Sequence, residues 1–268
     1  RIYALEGLRH ISDKRITSSV ESYLKDSNKS VRVYAISSLL KQPDASESSI
    51  ARMQNDPSPD VRAHVLATIG ERGWTRHRNI VQNGITDPSE LVRQTALTTA
   101  AMLFETGSAG AISSMLEFET SKHNKLTGIR LLMEFDRGGR GLGTALRSDL
   151  DPEVRLQAAL AIGYTNYKDG MYDLVHALSA DKDARVRTQA ADSLGMLGLA
   201  GASDHLEHAV LRQDEYDVRS AALQALLRVS DNSVASLERL LSAMGRDDFR
   251  KHVEHALFQV RRQSLMDS

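Results

Sequence analysis

The residues best placed to do chemistry are an aspartate and an arginine six positions apart. The pair recurs as Asp26 and Arg32, Asp56 and Arg62, Asp87 and Arg93, Asp149 and Arg155, and Asp181 and Arg187, with a copy one residue shorter from Asp214 to Arg219. A carboxylate beside a guanidinium suits an anion site or an acid–base pair, and it suits a bidentate structural ion pair equally well. Phase decides between them. A valine precedes every one of these arginines, and the aligned positions 1, 32, 62, 93, 127, 155, 187, 219 and 250 advance by 31, 30, 31, 34, 28, 32, 32 and 31 residues. A period near thirty-one residues belongs to a solenoid. Charge repeated at every junction of such an array falls where buried helix ends need polar partners. Asp26, Arg32, Asp56, Arg62, Asp87, Arg93, Asp181 and Arg187 therefore read as framework and not as catalytic groups.

Other constellations are weaker. His205 and His208, and again His252 and His255, lie three residues apart, and His208 aligns with His176 of the preceding repeat. Two imidazoles one turn apart suit a divalent ion, but no Asp or Glu is placed to complete the set, so they read as exposed histidines and no metal is expected. Gly139-Arg140-Gly141-Leu142-Gly143-Thr144 lacks the third glycine of a dinucleotide fingerprint, follows no strand pattern and has no phosphate-loop lysine. Arg130, Arg137, Arg140 and Arg147 gather around it as a candidate anion pocket, with an irregular turn bearing solvated arginines as the alternative. Arg72, Arg76, His77 and Arg78 surround Trp74 as a second basic cluster and a possible contact point. No nucleophile has a base at matching phase and no two carboxylates are paired. The absence of cysteine excludes disulfides, zinc–thiolate sites and a cysteine nucleophile. The expectation is no catalytic residue and no cofactor.

The elements that must carry these residues are helical. Ile50 and Met53 suit a short first helix, and Asp56-Pro57-Ser58-Pro59-Asp60 stops it, because two prolines forbid continuation. Asp60 is expected to cap the next helix, whose apolar Val61, Val65, Leu66 and Ile69 share one face, and Gly70 and Gly73 are expected to end it. The unit is a helical hairpin. Second helices recur over 91–103, 154–164, 186–197 and 218–229, with Ala96, Ala158, Ala190 and Ala222 in one column, and no strand alternation appears. The repeat covers 1–268 as a single domain, with an irregular unit at 120–147. There Asp, Pro and Arg are missing around Thr127, and the glycine run predicts a short or irregular first helix and a hinge near 136–145.

Apolar content of 41% with 5% aromatic suits a continuous aliphatic strip, and a net charge of -1 offers no global attraction to nucleic acid or anionic lipid. No apolar run reaches the length of a membrane span. The chain opens at Arg1 inside a helical pattern, with Ile2, Ala4, Leu5 and Leu8 lacking a hairpin partner. The expectation is a cytoplasmic piece of a longer protein, with any targeting segment upstream.

The pattern Asp-Pro-x-x-Val-Arg-x-x-Ala followed by Leu-Gly is best carried by Asp151 to Ala159 and by Asp181 to Gly195. It resembles the short HEAT-like repeat of phycobilin lyase subunits and many bacterial solenoids. The resemblance implies an all-α, right-handed α-solenoid of about eight HEAT-like hairpins, in which the turn Asp and helix Arg form a hydrogen-bonded ladder between neighbouring units. Solenoids of this kind include a hydroxylase that relies on His-Glu pairs, and no His-Glu dipeptide occurs here. Residues two after each aligned arginine should line the concave side: Tyr3, Tyr34, His64, Thr95, Ile129, Gln157, Gln189 and Ala221. The next column is Glu6, Ser37, Ala67, Thr98, Leu132, Leu160, Asp192 and Gln224. Neither contains Lys or Arg, so nucleic acid is not expected. Tyr3, Tyr34, His64, Thr95, Gln157 and Gln189 are the candidate contacts for a protein or peptide, or for another domain of the same polypeptide. The alternative is a phycobilin lyase-like subunit handling a tetrapyrrole and its acceptor protein.

Overall fold

Proline and glycine dictate where the helices begin and end. Pro59 opens the helix Pro59–Arg72 at its first position, where its missing N–H leaves nothing unsatisfied and its fixed φ suits the first turn. Ser58 takes the capping position, so Asp60 lies inside the first turn and does not cap the helix as the sequence reading expects. Pro152 opens its helix in the same way, with the Asp151 carboxylate accepting from the Glu153 N–H. Gly73 ends its helix in the left-handed conformation, at φ 64°. Gly70 does not help to end it; it sits within the helix, for a packing reason given below.

The computed structural model describes residues 1–8, 11, 13–42, 46–104, 106–212, 214–230 and 233–266, and among them every regular element is helical. The chain packs as two compact units, Arg1–Met115 and Leu116–Ser268. The first holds α1 (Ile2–Leu8) and the hairpins α2 (Lys14–Ser22) with α3 (Lys29–Leu39), α4 (Glu47–Ala51) with α5 (Pro59–Arg72), and α6 (Arg78–Ile85) with α7 (Glu90–Met102); α8 (Ala109–Leu116) lies at its end. The second opens with α9 (Lys122–Glu134). Its hairpins are α10 (Arg140–Ser148) with α11 (Pro152–Tyr164), α12 (Met171–Ala180) with α13 (Ala184–Leu197), α14 (Ser203–Leu211) with α15 (Tyr216–Val229), and α16 (Ser233–Ala243) with α17 (Arg250–Met266). Within each unit second helices stack on second helices, the arrangement of an α-solenoid. Ala96, Ala158, Ala190 and Ala222 are fully buried in that stack.

Charge locks successive hairpins together. The Nε and Nη2 of Arg32 donate to the two carboxylate oxygens of Asp56 at 2.7 and 2.6 Å, while its Nη1 donates to the backbone carbonyls of Asp26 and Ser27 in its own turn. Arg62 treats Asp87 alike, at 2.8 and 2.8 Å, as Arg155 does Asp181 at 2.7 and 2.8 Å. Arg187 grips Asp214 and Arg219 grips Asp247. Asp56, Asp87 and Asp181 also accept the backbone N–H two residues ahead, from Ser58, Ser89 and Asp183, and Asp214 accepts that of Glu215, one residue ahead. One side chain thus shapes its own turn and holds the previous repeat.

The unit without Asp or Arg keeps the same wiring through other residues. Glu119 is buried, and its Oε1 accepts the N–H groups of Thr120 and Ser121. Lys125 reaches Asp149 at 2.5 Å. Glu119 and Lys125 are six residues apart, the spacing of every full-length Asp–Arg pair. Lys125 is also the fourth residue of α9, as Arg62 is of α5 and Arg155 of α11. The register therefore belongs to Lys125 and not to Thr127, and the steps of 34 and 28 residues become 32 and 30.

The glycine run is packed rather than loose. α10 is a regular nine-residue helix that contains Gly141 and Gly143, so the short or irregular first helix expected there does not occur. A Cβ at Gly138 would overlap the Tyr167 side chain, and one at Gly143 would overlap Asp173. These glycines admit the following hairpin at close range. A second set, eight residues after the ladder cation, spaces the second helices. A Cβ at Gly163 would stand 2.8 Å from Ser193, and one at Gly195 would stand 3.0 Å from Ala225. The pairs whose leading helix carries such a glycine, α5 with α7, α11 with α13 and α13 with α15, pack most extensively, whereas Leu40 and Met133 at that position leave looser pairs.

Lys125→Ala should destabilise the chain by about 1–3 kcal/mol, because it leaves the Asp149 carboxylate without its cation, while Thr127→Arg should change stability by less than about 0.5 kcal/mol. Urea unfolding followed by circular dichroism measures both, and the reverse order would restore Thr127 to the ladder. Gly138→Ala should cost about 1–3 kcal/mol through overpacking against Tyr167; a neutral result in the same assay would contradict a packed glycine run.

Candidate protein-binding faces

A helix anchored at its ladder cation exposes the positions two, five and nine residues later, which share one side of the helix. Tyr3 is 89% exposed on α1, and Tyr34, His64 and Thr95 are half-buried at the equivalent place on α3, α5 and α7. The first unit thereby presents two tyrosines, an imidazole and a threonine in a row. His64 Nε2 lies 2.8 Å from the Ser37 hydroxyl, which ties α5 to α3 across that face. In the second unit Gln157 and Gln189 take the same place on α11 and α13. Gln157 donates to Glu153 and Gln189 to Ser193, so each amide is steadied by its own helix. The register set by Lys125 corrects the two columns. Ile129 and Leu132 are buried and leave them, and Thr127 and Arg130 enter. Ala221 is buried as well.

The four arginines of the candidate anion pocket face different partners. Arg130 pairs with Glu134 one turn on, Arg140 donates to Glu117 at 3.2 Å, Arg147 pairs with Asp173, and Arg137 turns to the Asp136 carbonyl at 3.4 Å. They come from α9, the turn after it and both ends of α10, and the structure does not gather them around one cavity. The basic cluster near Trp74 is also partly neutralised. Arg76 pairs with Glu47, the His77 Nε2 lies 2.8 Å from the same carboxylate, and Trp74 meets the His77 ring edge-on at 6.1 Å. His176, His205 and His208 are exposed, and no group of three or more metal-ligating side chains occurs among the described residues.

Charge elsewhere is absorbed by the framework. Burial pushes the carboxyls of Asp87, Asp181 and Asp214 up, but hydrogen bonds from Arg62, Arg155 and Arg187 and from the turn N–H groups outweigh it. All three stay below the ordinary carboxylate range, Asp214 at about 2. The hydrogen bond from Arg219 depresses Asp247 likewise. Asp192, in the outer column of α13, goes the other way: burial raises it, and Arg228 only partly opposes the rise.

A comparison with known families agrees with this repeat organisation. A model of HEAT repeats matches residues 46–127 and 140–227, well over half of the chain. The chain belongs to the HEAT-repeat family. Among solved structures, this HEAT-repeat protein is similar in fold to an engineered protein, at 16% identity and a TM-score of 0.53 over 97% of this chain and 84% of that one. It is also similar to an archaeal HEAT-like repeats protein from Thermococcus onnurineus, at 17% identity and a TM-score of 0.39 over 85% and 89% of the two chains. A third likeness is to the CpcE–CpcF complex of phycocyanin lyase from Nostoc, at 18% identity and a TM-score of 0.41 over 85% and 94%. No curated protein sequence matches the chain. No helix among the described residues is long and apolar enough to cross a membrane.

Sequence reasoning missed a concavity of the second unit. It is a cleft of about 710 Å³ between α15 and α17. At one end Tyr216, Phe249 and His252 pack together, Phe249 and His252 stacked at 5.0 Å and Tyr216 edge-on to both, with the Arg219 guanidinium 4.5 Å from the Phe249 centroid. The sequence signal was the three-residue spacing of His252 and His255, which points both rings toward the same cleft.

Carboxyls depressed in the folded chain stabilise it fully above the unfolded carboxyl range, near about 4, and that contribution is lost as pH falls through the folded values. Helical content and melting temperature should therefore hold from pH 7 to about pH 4 and collapse toward pH 2, the value given for Asp214. An undiminished melting temperature at pH 2 would remove the ladder carboxylates from the stability of the fold.

Proposed function

We propose that this HEAT-repeat chain is a binding scaffold with no catalytic chemistry of its own, and that the exposed face of its second helices receives a segment of another protein or of another domain of the same polypeptide. The observation that carries the reading is the row Tyr3, Tyr34, His64 and Thr95, which repeats on four successive second helices while the charged groups are spent on the ladder. Rings and hydroxyls held on a packed framework give contact area and hydrogen bonds at low entropic cost. Gln157 and Gln189 supply amides at the same phase in the second unit. A phosphate backbone fits this face poorly: at the positions two and five residues after the ladder cations the cation is Arg130, already paired with Glu134, and the net charge is -1.

A photo-crosslinking amino acid at position 34 identifies the partner. Against that partner, the Tyr34→Ala, His64→Ala double variant should bind about tenfold more weakly, equal to about 1.4 kcal/mol, while keeping the helical circular-dichroism spectrum of the folded chain. Equal affinity for the double variant overturns the assignment of this face.

A further inference from the structure

The ladder shows how this chain treats a carboxylate that its packing needs: Asp181 is gripped by Arg155 and also accepts the Asp183 N–H. Asp192, five residues after the ladder arginine of α13, has neither kind of support. Among the described residues it accepts no hydrogen bond and enters no ion pair. It is nonetheless half-buried, and burial pushes its carboxyl up. A charge drawn partly out of water without a hydrogen bond costs stability. The free chain gains nothing from it that an amide would not supply.

Close packing sets its position. A Cβ at Gly163 would meet Ser193, so Asp192 stands level with the stretch of α11 from Leu160 to Tyr164. Tyr164 on α11 and Met196, one turn on from Asp192, are 60% and 49% exposed on the same side. Arg228 reaches across from α15, where its Nη1 would lie 3.4 Å from a Cβ at Gly195, and opposes the rise of the Asp192 carboxyl only in part.

The surroundings define the group that is missing. The positions two before and two, five and nine after each ladder arginine share one side of the helix. On α11, α13 and α15 they hold Glu153, Asp192 and Asp217 against Arg185 and Arg228, and Arg185 is already paired with Asp183. The excess charge on this face is negative. Two free carboxylate oxygens level with an exposed phenol ring suit a guanidinium, which gives parallel N–H donors to the one and lays its plane on the other. An ammonium supplies the charge without the fork.

We infer that Asp192 anchors an arginine of the protein segment that this face receives, with Tyr164 and Met196 covering the guanidinium and its aliphatic stem. The inference rests on the reading of the chain as a protein-binding scaffold, and gives the second unit's part of that face its partner chemistry.

The test uses the full chain and fluorescence anisotropy of a labelled pentapeptide, Ala-Leu-Arg-Leu-Ala. It should bind, and the version with citrulline, the neutral isostere of arginine, should bind at least about tenfold more weakly. Asp192→Asn should lose as much toward the arginine peptide and nothing further when citrulline replaces arginine, because both changes remove one contact. Its melting temperature should equal or exceed that of the unaltered chain, which a structural carboxylate would not allow. Arg228→Gln should bind the arginine peptide at least as tightly, since it removes a competing cation. No binding, equal binding of the citrulline peptide, undiminished binding or a lowered melting temperature for Asp192→Asn, additive losses, or weaker binding by Arg228→Gln overturns the proposal. The Tyr34→Ala, His64→Ala variant should bind the pentapeptide unchanged, so the Asp192 anchor and the tyrosine row stand or fall separately.

Discussion

A guanidinium carries five donors in one plane, and in this chain those donors are divided between two turns. One nitrogen fixes the carbonyls of the arginine's own turn, and the other two fix the carboxylate of the next. The carboxylate in turn holds the backbone amide that starts its helix off in the right direction. The turns at Asp56, Asp87, Asp181, Asp214 and Asp247 are each held by an arginine of the preceding second helix, and the rungs at Asp56, Asp181 and Asp214 lie largely out of water. A buried ion pair of this kind adds little against an apolar substitute, but removing one partner strands the other. Its use is in specification: it sets where each repeat sits on the last.

Glycine sets how closely. With the ladder fixing register, the residue eight places on decides how near the following second helix comes. Gly70, Gly163 and Gly195 let it approach, whereas at Leu227 the two helices leave a cleft between them.

The hairpins were legible because their signals are local and repeated: a turn aspartate, proline at or near the helix start, and an apolar face behind them. Two expectations failed for opposite reasons. At residues 138–143 the glycines were read as weak helix formers, whereas tertiary packing uses their missing side chains to seat Tyr167 and Asp173. At Lys125 the alignment followed the residue type and lost the spacing; a carboxylate and a cation six residues apart would have found Glu119 and Lys125 at once. The cleft at α15 and α17 was harder to see, since it arises from a contact that is not made. Ile129 and Leu132 were misplaced on the exposed face by the same two-residue error that hid Lys125.

Lys125 differs from the other rungs in kind. A planar fork gripping a carboxylate with two parallel bonds dictates both separation and orientation, whereas an ammonium on a four-carbon tether dictates separation alone. Within the second unit, the step from α9 to the turn at Asp149 is therefore a ball joint in a row of keyed couplings. When the array is twisted, torsion will concentrate at that joint, and the repeats on the Asp181 side of it will turn together as one piece.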